Sequence, residues 1–321
     1  NHADASGTVA IGKSALTALT SGAGNVAVGY QASTAITTGA YNTVLGYQAL
    51  VTDDVGDTST AIGYKSLGLQ NTSSTANSGN TAVGFETGYN NVTGTNNTYL
   101  GFMAGKGGSG SESNNVGVGK DALLSVTDGS DNVAIGNGAL DAITSGGRNI
   151  GIGSTAGSAM TNNSYNTVIG YAAFATANTG EESNTVIGYG AGADIDHADS
   201  DGNVIIGQSA GSGGGAAMAS CVVIGQYAMN STAANAQTGT IAIGKDALTA
   251  LTSGLNNTAV GYLAGDAVVG GGQNTLIGMN AGGNFDGEDY NTAVGYGAYS
   301  GASSGGYCTV VGGNAMQGNA T

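Results

Sequence analysis

The chain has 321 residues, of which 61 are glycine and none is proline, and its 21 acidic and 6 basic residues give a formal net charge of −15. The lack of proline excludes collagen, and a hydrophobic fraction of 40% excludes an acidic disordered tail. The negative charge repels nucleic acid and no apolar run is long enough to span a bilayer, so we expect neither a nucleic-acid partner nor membrane insertion.

An internal repeat fills the chain, and each copy is anchored by one glycine. Eleven of the 17 intervals between the 18 anchors are 17 residues long. The residue before each anchor is always Ile, Val or Leu, and the residue three before it is always Val, Ile or Thr. Ala stands three residues after the anchor in 16 copies, and Asn stands four residues before it in 13. The anchors are Gly12, Gly29, Gly46, Gly63, Gly84, Gly101, Gly119, Gly136, Gly153, Gly170, Gly188, Gly207, Gly225, Gly244, Gly261, Gly278, Gly295 and Gly312.

Each copy predicts the same elements in the same order, from a first strand at Val9–Ile11 to a last one at Thr309–Val311. A β-branched, a small and an aliphatic residue in succession favour a short strand, and the glycine after them permits a corner. The next stretch, Tyr30–Ala32 in the second copy, predicts a second short strand, and the polar segment after it predicts a turn. Residues 1–321 are therefore predicted to form a single all-β domain, a parallel β-solenoid (β-roll) of about 18 coils with a 17-residue repeat.

The strand triplet is apolar on both faces, which predicts that a second chain covers one of them. Neighbouring side chains of a strand point to opposite faces, so the small residue two before the anchor and the Ala three after it suit a narrow lumen. The residues three and one before the anchor then face outward, in an apolar stripe larger than a monomer exposes. The predicted interface residues lie directly before eight anchors and are Ile11, Val28, Leu45, Ile62, Ile135, Ile169, Ile187 and Ile243.

The asparagine four residues before the anchor has two interpretations that the sequence leaves open. Stacking in register places like residues above one another, so these side chains can form an amide ladder that satisfies backbone groups of the corner. Asn also tolerates turn geometry, which alone accounts for its presence at this position.

The core sequence Val-Ala-Ile-Gly at Val9–Gly12 and Val133–Gly136, with Ala three residues later, resembles the head repeats of trimeric autotransporter adhesins. The longer unit, as at Asn257–Gly265, is similar to repeats of bacteriophage and large-virus tail fibre proteins. The first resemblance implies a left-handed β-roll of three chains. The second implies a homotrimer whose C-terminal chaperone is cleaved after assembly. Both cover almost the entire chain and imply an extracellular position on a virion or a cell surface.

These resemblances lead us to expect a structural fibre or shaft of a viral tail or surface appendage that serves host attachment, represented here by a fragment of a longer fibre protein. The alternative is a bacterial trimeric surface adhesin that binds a host glycan or matrix protein. In either case the expected partners are two further copies of the chain and a cell-surface glycan or receptor. The two histidines, His2 and His197, form no evident catalytic set with Ser, Cys or Asp, so we expect no enzyme and no cofactor.

Two patterns are candidates for ligand binding. The longest acidic cluster offers carboxylate oxygens of the kind that bind Ca²⁺, with solvated turn charge as the alternative. It contains Asp194, Asp196, Asp199 and Asp201. An aromatic residue directly follows several anchors and predicts a row that stacks on a glycan, with packing of coil on coil, or a place at the edge of the chain interface, as the alternative. The glycan-stacking candidates are Tyr30, Tyr47, Tyr64, Tyr171 and Tyr189.

Overall fold

The computed structural model describes residues 5–72, 77–108, 110–178, 180–214, 216–232, 235–284, 286–301 and 305–317. Within these ranges the chain is an all-β parallel solenoid of about 17 turns, built from strands and turns without a helix. It divides into two compact units, Asn1–Asn162 and Asn163–Thr321, and the same repeat builds both.

The first unit contains nine three-residue strands, of which the first eight are each hydrogen-bonded in parallel to the strand one repeat later. The register is strict, since Val9 pairs with Val26, Ala10 with Ala27 and Ile11 with Val28. The strands are β1 (Val9–Ile11), β2 (Val26–Val28), β3 (Thr43–Leu45), β4 (Thr60–Ile62), β5 (Thr81–Val83), β6 (Thr98–Leu100), β7 (Val116–Val118), β8 (Val133–Ile135) and β9 (Ile150–Ile152).

The second unit repeats this arrangement and adds one two-residue pair, in which β13 lies parallel to β15. Its strands are β10 (Thr167–Ile169), β11 (Thr185–Ile187), β12 (Val204–Ile206), β13 (Met218–Ala219), β14 (Val222–Ile224), β15 (Gln237–Thr238), β16 (Ile241–Ile243), β17 (Thr258–Val260), β18 (Thr275–Ile277), β19 (Thr292–Val294) and β20 (Thr309–Val311). Every strand predicted before an anchor glycine is present, which confirms the parallel β-solenoid.

The middle residue of every three-residue strand except β1 is buried in the lumen, as the sequence predicts. Ala27 and Ala61 are fully buried at this position, while the residues on either side of them are only half-buried. Ala32 and Ala49, three residues after their anchors, are fully buried as well. The small residues therefore line the lumen, and the Val, Thr and aliphatic residues face outward.

The second short strand predicted after each anchor is wrong, because this segment is a turn. In the second coil Gln31 and Ser33 have φ angles of 53° and 49°, so left-handed residues interrupt any extended run. The segment still hydrogen-bonds from coil to coil, since the Gln31 N–H donates to the Lys13 carbonyl at 2.9 Å and the Ser33 N–H to the Ala49 carbonyl at 3.0 Å. These bonds hold non-glycine residues in a conformation that costs roughly 1–2 kcal/mol per residue.

The anchor position accepts only glycine for two reasons. Gly136 has a φ of 139°, which side chains rarely adopt, and a Cβ added to it would lie closer than 3.0 Å to the carbonyl of Gly153 in the next coil. The same clash recurs at Gly29, where the Gly46 carbonyl blocks the Cβ. The anchor is therefore a point at which successive backbones approach too closely for a side chain.

The asparagines four residues before the anchor form an amide ladder, which resolves the question that the sequence leaves open. Asn132 accepts a hydrogen bond at Oδ1 from the backbone N–H of Asn149 at 3.0 Å, one coil later. Its Nδ2 donates to the carbonyl of Gly146 in that same coil at 2.9 Å. Oδ1 of Asn115 likewise accepts a hydrogen bond from the backbone N–H of Asn132 at 2.9 Å. We call these residues the ladder asparagines.

Side-chain volumes in the lumen compensate one another between coils. Tyr99 is fully buried at a position that is Ala in eight of the 18 coils, and three glycines surround its ring. A Cβ on Gly105 would lie closer than 3.0 Å to ring atoms of Tyr99, and Cβ atoms on Gly88 and Gly117 would lie within 3.2 Å. Gly105 occupies a position that is Leu in other coils, as at Leu123. The large tyrosine thus fits because the residues around its ring are glycines, which have no side chains.

Candidate binding surface

The outward side of the strands carries the predicted interface residues. Ile11, Leu45 and Ile135 expose 58%, 49% and 40% of their surface, which is unusual for aliphatic side chains in a folded chain. The remaining predicted residues are half-buried and lie on the same side of their strands: Val28, Ile62, Ile169, Ile187 and Ile243. We call the residues three and one before the anchors the outward face of each unit.

The outward face carries no charge in any coil, because every one of its residues is Val, Ile, Leu or Thr. The acidic residues lie in the turns instead, as Asp54 and Asp131 do. Each unit therefore presents an uncharged strip next to acidic turns.

The aromatic residues after the anchors of the first unit form one continuous stack. Ring centroids are 5.1 Å apart for Tyr30 and Tyr47, and 5.4 Å apart for Tyr47 and Tyr64. Phe85 and Phe102 extend the stack with centroid distances of 5.0 and 5.2 Å. The ring planes differ by only 8° to 14°, so the rings lie nearly parallel. We call these five residues the aromatic stack.

Stacking limits what the tyrosines can bind, because both faces of each inner ring are covered by the neighbouring rings. Tyr47 and Tyr64 present ring edges and hydroxyl groups to the outside, while their faces are occupied. At one end, the ammonium group of Lys120 lies 5.9 Å from the centroid of Phe102. A sugar ring would therefore meet hydroxyl edges along the stack. Face-on stacking of the predicted kind requires an end ring such as Tyr30.

The glycan-stacking candidates of the second unit form a shorter pair. Tyr171 and Tyr189 stack with their centroids 5.3 Å apart and their planes 12° apart. Sequence reasoning missed another pair, Tyr290 and Tyr307, whose centroids are 4.8 Å apart. These two lie five residues before their anchors and have left-handed φ angles of 61° and 65°. The recurrence of tyrosine at that position, also at Tyr41, was the available signal.

The predicted calcium-binding residues do not assemble into a metal centre. All four carboxylates are exposed, and the described ranges contain no group of three or more His, Cys, Asp or Glu side chains arranged to hold a metal. Asp201 instead accepts a hydrogen bond from the Glu182 N–H at 2.7 Å. Asp199 lies 3.8 Å from His197. The geometry of Asp194, Asp196, Asp199 and Asp201 is that of solvated turn charge.

Similarity to known proteins does not assign the chain to a family. Neither a protein-family model nor a curated protein matches the chain. The parts of the chain that the structure describes contain no helical segment with the length and hydropathy of a membrane span. The outward face, the aromatic stack and the resemblance of the repeats are therefore the features that bear on function.

Proposed function

We propose that this chain is the structural solenoid of a homotrimeric extracellular fibre that serves host attachment, as in a viral tail fibre. Its role is mechanical rather than enzymatic and needs no cofactor. The repeats hold a tip or an adhesive surface away from the particle that carries them. The resemblance of the repeats to viral tail fibre proteins supports the viral assignment, and the number of three chains comes from the same resemblance.

The outward face is the observation that carries the proposal. The exposed apolar surface of Ile11 and Leu45 is removed from water only if another molecule covers it. Burial of apolar surface yields about 25 cal/mol per Å², so a face that recurs in every coil supplies a large association energy. The outward face of one copy can pack against that of another, because both present the same Val, Ile, Leu and Thr residues.

Charge favours the same arrangement. Each chain carries a formal net charge of −15, so three copies repel one another wherever acidic turns meet. Association through the outward face keeps residues such as Asp54 and Asp131 at the periphery, where water and salt screen their charge. An uncharged strip is thus the surface on which copies of an acidic chain can meet.

The molar mass in solution tests the proposal. Sedimentation equilibrium should give roughly three times the 30.8 kDa of one chain. Ile277→Lys places a charge on the outward face, where Ile277 is 39% exposed, and should dissociate the trimer. Leu255→Lys is the matched control, because Leu255 is 42% exposed in a turn of the same unit. A wild-type mass of one chain at high concentration would refute the proposal.

The aromatic stack favours a second candidate function, that of a bacterial surface adhesin that binds a glycan. Its tyrosine hydroxyls follow one another at regular intervals and match the repeating hydroxyl groups of a polysaccharide. A glycan array would show saturable binding that is lost in the Tyr47→Ala/Tyr64→Ala variant and kept in Tyr41→Ala, an exposed tyrosine of a turn. Binding that is equal in all three proteins would exclude the stack as the site.

A further inference from the structure

One section of the lumen in the first unit contains three buried polar side chains to which no other described residue gives a hydrogen bond. The unpartnered atoms are the Tyr99 hydroxyl, both carboxyl oxygens of Glu112, and the amide nitrogen and oxygen of Asn91. All three residues are completely buried. Each such group costs roughly 1–3 kcal/mol if nothing satisfies it. A native lumen with this many unsatisfied atoms in one place indicates that something else binds there.

The three residues surround the same section of the lumen. Asn91 forms a parallel bridge with Gly110, which precedes Glu112 by two residues. A Cβ added to Gly94 would touch both the Oδ1 of Asn91 and the carbonyl oxygen of Glu112. Burial raises the pKa of Tyr99 well above its usual value, and the Glu112 carboxylate raises it further, so these two groups lie within electrostatic reach of each other.

The backbone explains why an acidic side chain enters the lumen here. The position seven residues before the anchor is usually Gly, as at Gly129, and its carbonyl accepts a bond from a ladder asparagine. The Glu112 carbonyl takes the same role and accepts a hydrogen bond from Nδ2 of Asn97 at 2.8 Å. Because the backbone keeps its regular place, the Glu112 side chain extends inward. In the same coil Gly108 stands where the next coil has Val126, which leaves the lumen without an apolar side chain there.

A second buried acid in the same unit shows the contrast. Asp53 is also completely buried, but protein groups satisfy it. Its Oδ2 accepts a hydrogen bond from Nε2 of Gln70 at 2.6 Å, and its Oδ1 accepts from the Gly56 N–H at 3.1 Å and the Thr72 hydroxyl at 3.3 Å. Other described residues of the lumen thus donate to the carboxyl group of Asp53, and none of them donates to that of Glu112. A molecule that is not part of the chain can supply the partners of Glu112.

We propose that Asn91, Tyr99 and Glu112 form an internal binding site for a small cluster of water molecules. The occupant has to donate as well as accept hydrogen bonds, because Asn91 offers an unpartnered N–H donor beside an unpartnered oxygen. A metal cation cannot accept a bond from that N–H group, and it would find a single carboxyl group as its anionic ligand. An apolar occupant would satisfy none of these atoms. Water meets all of the requirements, as it does at buried polar sites in general.

The protonation of Glu112 agrees with a neutral occupant. Burial raises the pKa of Glu112 to about 8, and the carboxylate of Asp128 contributes in the same direction. The carboxyl group is therefore mostly protonated at neutral pH and offers one donor and one acceptor. A site without a formal charge holds water without a counter-ion.

A high-resolution crystal structure of the full chain, in its native assembly and at neutral pH, tests the site directly. We expect solvent density within hydrogen-bond distance of the Asn91 amide, the Glu112 carboxyl group and the Tyr99 hydroxyl. An empty lumen, or direct bonds among the three side chains that leave no room for solvent, would overturn the proposal. Density with the coordination number or the anomalous signal of a metal ion would overturn it as well.

Two variants provide a test in solution through the number of long-lived internal waters, measured by magnetic relaxation dispersion of water. Glu112→Gly introduces the residue that Gly94 and Gly129 provide in neighbouring coils, and it should reduce the number of internal waters. Glu112→Gln keeps the shape and the hydrogen-bonding capacity of the protonated acid, and it should leave that number unchanged. The proposal fails if Glu112→Gly retains the same number of long-lived waters as the wild type.

Discussion

Asn25 and Asn42 hold the same place in successive coils, and Oδ1 of Asn25 accepts a hydrogen bond from the backbone N–H of Asn42 at 2.9 Å. Nδ2 of Asn25 donates to the carbonyl of Gly39 at 2.8 Å, also in the following coil. A single amide side chain therefore satisfies one buried donor and one buried acceptor of its neighbour, which are the groups that a tight corner leaves without partners.

Removing one ladder asparagine should destabilise two coils at once. Asn132→Ala leaves the buried N–H of Asn149 and the carbonyl of Gly146 without partners, at a cost of about 1–3 kcal/mol for each group. Hydrogen exchange should show faster exchange at the Asn149 amide than in the wild type. Asn71→Ala, at an exposed asparagine in a turn, should leave the exchange unchanged. Equal protection of Asn149 in wild type and Asn132→Ala would contradict the role of the ladder.

A methyl group at an anchor should be far more damaging than one at a glycine in a turn. Gly136→Ala forces a Cβ against the Gly153 carbonyl and places alanine at a φ of 139°, so we expect loss of folded yield or local unfolding of these coils. At Gly287 a Cβ would meet no atom within 4 Å, and Gly287→Ala should fold like the wild type. Limited proteolysis distinguishes the two variants. A Gly136→Ala protein that resists the protease as well as the wild type would refute the close approach at the anchor.

Volume compensation in the lumen predicts energetic coupling between Tyr99 and Gly105. Gly105→Leu alone should clash with the tyrosine ring and cost about 1–3 kcal/mol, whereas Tyr99→Ala alone should leave a cavity and cost about 3–5 kcal/mol. The double variant has the residue pair that four other coils carry, as at Ala134 and Leu140. It should be more stable than the sum of the single effects predicts, because leucine fills the space that tyrosine leaves. Urea denaturation of the four proteins measures the coupling, and strictly additive effects would refute it.

The stability of the first unit should fall as pH rises, because of Glu112. Its pKa is 4.5 in the unfolded chain and about 8 in the folded one, where burial favours the neutral acid. The contribution is fully present below pH 4.5 and is lost as pH rises to about 8, where the folded group ionises as well. The titrating neighbours that bear on Glu112 are Asp128 and Tyr99.

Glu112→Gln removes this contribution, so its urea midpoint should change less between pH 5 and pH 9 than that of the wild type. Some dependence should remain, because burial also raises the pKa of Asp53, Asp141 and Asp266. The difference between the two proteins isolates Glu112. Parallel pH profiles would mean that this carboxyl group is not the source.

The regular part of the fold follows from the sequence, because strict columns of β-branched and aliphatic residues specify strands with one inward face. The turn at Tyr30–Ala32 could not be inferred in the same way. Gln31 and Ser33 have no strong local preference for left-handed φ angles, and hydrogen bonds to the neighbouring coils impose this conformation. A residue pattern read within one coil cannot reveal a conformation that two coils impose on each other.

The candidate sites were predictable to different degrees. The positions of Tyr30 and Tyr47 on the outside followed from the repeat, but the parallel packing of their rings depends on the distance between coils. Glu112 was missed altogether, because an acidic residue in a polar segment normally lies in water. The available signal is a comparison with Gly94 and Gly129, which stand at the same position of the neighbouring coils. It shows that Glu112 carries a side chain where these two coils have none.

The ladder asparagines also give the folding process a direction. Oδ1 of Asn184 accepts hydrogen bonds from the N–H and the Nδ2 of Asn203 in the next coil. Its Nδ2 donates to the Ser200 carbonyl of that coil and to Oδ1 of Asn166 in the preceding one. A completed coil thus presents a template with its amide already aimed at the incoming segment, whereas an isolated coil has nothing to guide it. Folding should therefore proceed by the addition of one coil after another to a coil that is already formed.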